Sequence, residues 1–150
     1  MSMLKEGDKL PEINTTDHNG NPVSNETLKG KKTVIYFYPK DMTPGCTAQA
    51  CNIRDNYDVL LRNNYNVIGI SPDDTRSHQK FAEKYGLPFP LISDTDKSLS
   101  NLFGVWGPKK FLGKTYNGVH RTTFVTDEDL TITEVIEKVD TKNHASQIIK

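Results

Sequence analysis

Cys46 and Cys51 are the only thiols in a chain of 150 residues, and both lie in one short segment, FYPKDMTPGCTAQAC, Phe37 to Cys51. Two nearby cysteines suit a structural bridge, a metal site or a redox pair. Along an α-helix a five-residue step rises about 7.5 Å and turns about 140°, which puts the two Cα atoms about 8.6 Å apart. A disulfide needs them within about 7 Å, so this pair bridges only if the first turns of its helix unwind. A permanent bridge is disfavoured, and a transient one formed during turnover is compatible. Structural zinc takes four ligands, whereas no second close pair accompanies these cysteines and His18, His78, His120 and His144 are scattered; no metal and no cofactor are expected. A thiol-disulfide exchange protein would carry a CxxC pair, which is missing. The remaining chemistry is the sulfenic acid route, in which a thiolate attacks an O–O bond and a second thiol condenses with the product.

The neighbours of Cys46 support a nucleophile. Thr43 before Pro44 reads as a helix N-cap followed by proline at the first helical position, and Gly45 leaves room for close approach to the backbone. Cys46 then falls in the first turn, among amide groups without helical partners at the positive end of the dipole, a setting that favours the thiolate. The Thr43 hydroxyl can donate to an anionic sulfur or to a substrate oxygen. No carboxylate lies between Thr43 and Cys51, and Asp41 precedes the helix. An inert buried thiol is the commoner fate of a lone cysteine; the helix-start context reverses those odds.

Such a site has to be held by elements that the rest of the chain supplies. INTTDHNGNPVS, with its Asn19-Gly20 turn signal, reads as an N-terminal β-hairpin. Thr33 to Tyr38, TVIYFY, is a continuous β-branched and aromatic run expected of a central strand covered on both faces. From Cys46 to about Asn63, the positions of Ala50, Ile53, Tyr57, Leu60 and Leu61 predict one amphipathic helix. NVIGIS is the next buried strand, and DTRSHQKFAEKYG a helix closed by Gly86. FPLISD, RTTFVTD and TITEVIEKV read as strands, the last two joined by a turn at Glu128-Asp129; DKSLSNLFGV is a short helix, and TKNHASQIIK a final polar one. This order predicts an α/β protein with a central mixed β-sheet flanked by helices and an N-terminal β-hairpin, which a thioredoxin-like topology fits. Functional groups in such folds gather beyond the carboxyl ends of the strands, where the cysteine segment sits.

Composition narrows the partners. The length suits one domain, and no repeat or long linker divides it. Lysine plus arginine and aspartate plus glutamate each number 19, so a formal net charge of +0 gives no pull toward nucleic acid or an anionic membrane. The start, MSMLKEGDKLPEI, lacks the apolar stretch of a signal peptide, and no run reaches transmembrane length, so a cytoplasmic protein is expected. Cysteines in that reducing compartment are more often chemical than architectural.

YPKDMTPGCTAQACNIRD closely resembles the active-site segment of the peroxiredoxins, in particular the Q-type group, also called bacterioferritin comigratory proteins. VIGISPD, FPLISD, GVWGPKKFLGKTYNGVHRTTFVTD and VDTKNHASQII resemble the same family in the same order, so the likeness spans nearly the whole chain, 1–150, as one thioredoxin-like peroxiredoxin domain. The resemblance implies a thioredoxin fold with Cys46 as peroxidatic nucleophile and Cys51 as resolving cysteine. It implies that Pro39 shields the thiolate, that Thr43 hydrogen-bonds the peroxide, and that Arg121 supports the thiolate and polarises the substrate. The peroxide-binding residues are then Thr43, Gly45, Cys46, Gln49 and Arg121. Many relatives carry glutamate where this chain has Gln49, whose amide still accepts a hydrogen bond. The implied partners are a hydroperoxide and thioredoxin or a similar dithiol, with the chain acting as a monomer. Read without the family, Arg121 is a fixed cation with a fork of donors, Arg54 and Asp55 form structural pairs, and Trp106, Phe111 and Tyr116 either line the entrance or pack. A thiol-based redox sensor or holdase without sustained turnover stays open as the alternative function.

Overall fold

The computed structural model describes residues 3–149. Strands β1 (Asn14–Thr16) and β2 (Pro22–Ser24) form the expected antiparallel hairpin, with Gly20 at φ 81 in its turn. Helix α1 (Asn25–Leu28) follows under a Ser24–Thr27 capping box, and β3 (Lys32–Phe37) runs into the cysteine segment. Then come α2 (Pro44–Asp55), α3 (Tyr57–Arg62), β4 (Tyr65–Ser71), α4 (Thr75–Tyr85), β5 (Leu91–Ser93) and α5 (Ser98–Phe103). The chain ends with β6 (Trp106–Phe111), β7 (Lys114–Val119), β8 (Thr122–Thr126), β9 (Ile132–Ile136) and α6 (His144–Ile148).

Five strands form one mixed sheet in the order β5-β4-β3-β8-β9, with β3, β4 and β5 parallel and β8 and β9 antiparallel to their neighbours. Central β3 explains its own sequence. Successive side chains of a strand point to opposite faces. Ile35 and Phe37 therefore enter one core with Ile68, Ile70, Phe103 and Phe124, while Val34, Tyr36 and Tyr38 enter a second core under α2 and α4 with Ile53, Leu60 and Phe81. Each such aliphatic or aromatic side chain contributes roughly 1.5–3 kcal/mol on burial, which holds the strand in the middle of the sheet.

Three expectations need correction. The helix expected from Cys46 to Asn63 is two helices, because Asn56 leaves helical geometry at φ −111, ψ 12 and its side-chain amide donates to the Asn52 carbonyl at 2.8 Å. Asparagine competes with the helix for backbone groups in this way, and Leu61 beyond the break is exposed. The hairpin β6-β7 was not expected at all. The closing helix is not polar throughout: His144, Ala145 and Ile148 are buried against the α2 face of the sheet. Helix α4 ends as predicted, with Gly86 left-handed at φ 60.

Candidate active site

The site forms where β3 hands over to α2. Thr43 is the N-cap residue and Pro44 the first helical residue, so Cys46 lies in the first turn, as its sequence context predicts. The first helical bond is Thr47 N–H to the Thr43 carbonyl at 2.9 Å, which leaves the Gly45 and Cys46 amides without an acceptor inside the helix. These amides and the helix dipole make the surroundings of the sulfur electropositive. Cys46 is only 1% exposed. The Thr43 hydroxyl donates to the Lys40 carbonyl at 2.9 Å instead of capping the helix or pointing its proton at the sulfur. Its oxygen lone pairs stay available as acceptors, a reversal of the donor role expected from sequence. Pro39 is half-buried at the end of β3.

Arg121 reaches this helix start from the opposite element. It immediately precedes β8, whose first residue, Thr122, pairs with Phe37 at the end of β3. That register carries the guanidinium to Cys46: Nη2 donates to Sγ at 3.2 Å. Gly45 borders its path, since a Cβ there would sit 3.4 Å from Nη2. The other terminal nitrogen, Nη1, donates to Gln49 Oε1 at 2.5 Å. Gln49 is fully buried, and its far end meets His144 Nδ1 at 3.2 Å. Sequence placed Gln49 among peroxide-binding residues; here both ends of its amide are engaged by protein, and its oxygen braces the arginine. His144 carries no local signal, standing alone in a closing polar segment, and sequence reasoning passed over it.

Lys109, on β6, is a second cation of the site missed in the sequence. Its ammonium donates to the Val119 carbonyl at 2.9 Å, and burial followed by repulsion from Arg121 lowers its pKa, with Cys46 acting in the opposite sense. Beneath the helix, burial pushes the Tyr36 phenol well above its ordinary value, so it stays protonated.

Asp41 points away from the thiol. Its carboxylate accepts from the Tyr38 hydroxyl at 2.6 Å and the Ser77 hydroxyl at 2.8 Å, and lies 2.7 Å from His78 Nδ1. Its amide donates to Asp73 at 2.8 Å. Asp41, Asp73 and His78 are the one group among the described residues with metal-type ligand atoms close together, within 4.8 Å of one another. Their atoms are engaged with protein partners, and the group moors the β3-α2 loop to α4.

Cys51 is partly exposed on the same α2, and both thiols are free. The turn beside it is clipped to the end of the chain. Asn52 donates to the Lys142 carbonyl at 2.9 Å and accepts from the Ala145 amide at 2.8 Å. Arg54 pairs with Asp55 at 3.0 Å, and also donates to the Tyr85 carbonyl at 2.7 Å. Of the three aromatics, Trp106 packs partly buried against the core, while Phe111 and Tyr116 are exposed on the hairpin. Among the described residues no helix is long and apolar enough to cross a membrane.

The cysteine at a helix start, the cation on its sulfur and the second thiol on the same helix lie in a chain with known relatives. The profile of the AhpC/TSA family matches residues 6–135. Peroxiredoxin Bcp of Escherichia coli K12 is 44% identical over 149 residues, 99% of this chain and 96% of that protein. Peroxiredoxin Bcp of Bacillus subtilis 168 is 40% identical over 144 residues, 96% and 92% of the two chains. Among solved structures, a cysteine-to-serine mutant of Xylella fastidiosa PrxQ superposes with a TM-score of 0.91 at 28% identity, covering 99% of this chain and 94% of that one. The Xanthomonas campestris bacterioferritin comigratory protein, studied for alkyl peroxide reduction, superposes with a TM-score of 0.84 at 31% identity, covering 91% and 87%.

Proposed function

Because the chain belongs to the AhpC/TSA family, as a thiol peroxidase with the thioredoxin-like fold of the Bcp peroxiredoxins, we propose that Cys46 is its peroxidatic nucleophile and Cys51 its resolving cysteine. The observation that carries this assignment is the Arg121 guanidinium donating to the Cys46 sulfur at 3.2 Å. A fixed cation beside a sulfur at a helix start stabilises the thiolate there.

Cys46 thiolate attacks one oxygen of a hydroperoxide in line with the O–O bond. The S–O bond forms as the O–O bond breaks, and the departing alkoxide or hydroxide takes up a proton to leave as alcohol or water. Arg121 and the free amides of the first turn stabilise the charge that develops on the oxygens, an effect worth several kcal/mol per donor in acyl-transfer sites (roughly 2.7–4 kcal/mol). Thr43, its proton engaged by Lys40, accepts the hydrogen of the bound peroxide. Pro39 and the burial of Cys46 limit water at the sulfur.

Cys46 is then a sulfenic acid. The first turns of α2 unwind, the Cys51 sulfur attacks Cys46, and the hydroxyl leaves as water. A thioredoxin-like dithiol returns two electrons to the disulfide. Organic hydroperoxides join hydrogen peroxide as substrates, in line with the activity studied in the Xanthomonas campestris relative. The reading takes residues 1–150 as one peroxiredoxin domain acting as a cytoplasmic monomer.

The test is peroxide consumption with thioredoxin and its reductase supplied. Cys46→Ser abolishes it, and Cys51→Ser leaves a single turnover. Mass spectrometry after one equivalent of peroxide finds a Cys46–Cys51 bridge in the wild type. Consumption that persists in Cys46→Ser refutes the assignment, and one oxidation event without turnover in the wild type marks a sensor or holdase.

A further inference from the structure

The chain of contacts behind Arg121 ends on the C-terminal helix, and every orientation in it is forced. A guanidinium only donates, so the Gln49 atom that meets Arg121 Nη1 is the oxygen. The other end of Gln49 is then its NH2, also purely a donor, and it meets His144 Nδ1 at 3.2 Å. Nδ1 therefore accepts and carries no proton. The ring's single proton sits on Nε2, which donates to the Thr123 hydroxyl oxygen at 2.8 Å. Burial, aided by the positive charge of Arg121, lowers the His144 pKa to about 4, so the neutral ring that this geometry demands is the form present at neutral pH.

Resting on the assignment of Cys46 as nucleophile, we propose that His144 is a positioning residue for the peroxidatic site: its Nε2-protonated ring holds the Gln49 amide oxygen toward Arg121, and thereby holds Arg121 on Cys46. The need for it follows from the amide. Gln49 has two unlike ends, and turned over it would set NH2 against a guanidinium with nothing to accept. A carboxylate at position 49 has no wrong way round. Gln49 thus makes the site depend on a histidine that a glutamate would not require. The Asn52 bonds to Lys142 and Ala145 fix α6 at the height where His144 meets Gln49.

Nitrogen-15 NMR of the reduced wild type reads the tautomer directly. Protonated Nε2 and bare Nδ1 are expected, and a proton on Nδ1 overturns the proposal without any mutant being made. Kinetics supply the second arm. In His144→Phe the second-order rate with peroxide falls on the order of tenfold, the upper end of what one buried hydrogen bond between neutral groups is worth. Adding Gln49→Glu to that variant restores the rate to within about threefold of wild type, because either carboxylate oxygen receives Arg121. A histidine that only packs predicts otherwise: a lower melting temperature with the peroxide rate unchanged, or no recovery on adding Gln49→Glu, and either result overturns the proposal. Cys46→Ser assayed alongside keeps the two readings apart, since its inactivity upholds the nucleophile whatever His144 does, and its activity removes both.

Discussion

Arg121 meets the Cys46 sulfur at 3.2 Å from the start of β8, not from the helix that carries the cysteine. Cation and thiol thus belong to different elements. In the proposed cycle the sulfur moves as α2 unwinds, while β8, paired with β3 on one side and β9 on the other, keeps the arginine in place.

Removing the cation is expected to act on the peroxide step. Arg121→Ala lowers the second-order rate with hydrogen peroxide by about 10²–10³, the usual effect of losing one donor to a developing oxyanion. Arg121→Lys recovers only part of this, because a point charge cannot serve Cys46 and Gln49 together. Stopped-flow oxidation of each variant reads the rates; a full recovery by lysine would show that charge alone suffices.

The clip between α2 and α6 is expected to act on the resolving step as well as on the seating of His144. Asn52→Ala removes two hydrogen bonds worth about 1 kcal/mol each. Alanine returns at most about 0.7 kcal/mol of helix propensity, so the loss of tethering prevails. Disulfide formation after oxidation accelerates several-fold, measured on acid-quenched samples by mass spectrometry. An unchanged rate would mean that α6 does not restrain the unwinding.

Acid is expected to weaken the fold through His144. Its pKa falls from 6.5 to about 4 on folding, chiefly by burial. Between those values the unfolded chain binds a proton that the folded chain refuses, so stability declines as pH drops through the window and this contribution levels off below it. The full effect is at most about 3 kcal/mol. His18, lowered chiefly by burial, tilts the curve the same way. Urea unfolding from pH 7 to pH 4 measures the slope, and His144→Phe flattens it.

Gly69 tests the packing beneath the site. A Cβ there would lie 2.9 Å from Leu91 Cδ2 and 2.9 Å from the Tyr36 ring, in the middle of the sheet. Gly69→Ala is expected to cost about 1–3 kcal/mol, the usual penalty of overpacking, seen as a lower urea midpoint at unchanged slope.

How far the sequence carried these conclusions depended on whether a signal was local. The TVIYFY run announced the central strand because a strand buried on both faces has no polar side chains to spare. Thr43, Pro44 and Cys46 were legible as a helix start for the same reason, since N-cap, proline and thiol lie within one turn. The β6-β7 hairpin was hidden because its strands are largely exposed and mixed in character, and its turn, Leu112-Gly113, puts a leucine at φ 51 where asparagine or aspartate is the usual signal. The break at Asn56 was hidden because apolar spacing continues across it. Arg121 and Gln49 needed the family resemblance. His144 had no signal at all, because its partner is 95 residues away and only the docking of α6 brings the two together.

The mooring of Asp41 to α4 and the interruption at Asn56 set the limits of what moves. Upstream, the loop is pinned by Tyr38, Ser77 and His78; downstream, the break separates α2 from α3 and its fully buried Leu60. In the proposed cycle, fraying that starts at Pro44 meets a firebreak on each side and stays within the 12 residues of α2. An isolated peptide helix of about 20 residues relaxes in about 0.1–1 μs. Reduction of the disulfide in that cycle is followed by re-docking of this segment against its tertiary contacts, which belongs to the slower μs–s class of local refolding, so the reset is a step that turnover can feel.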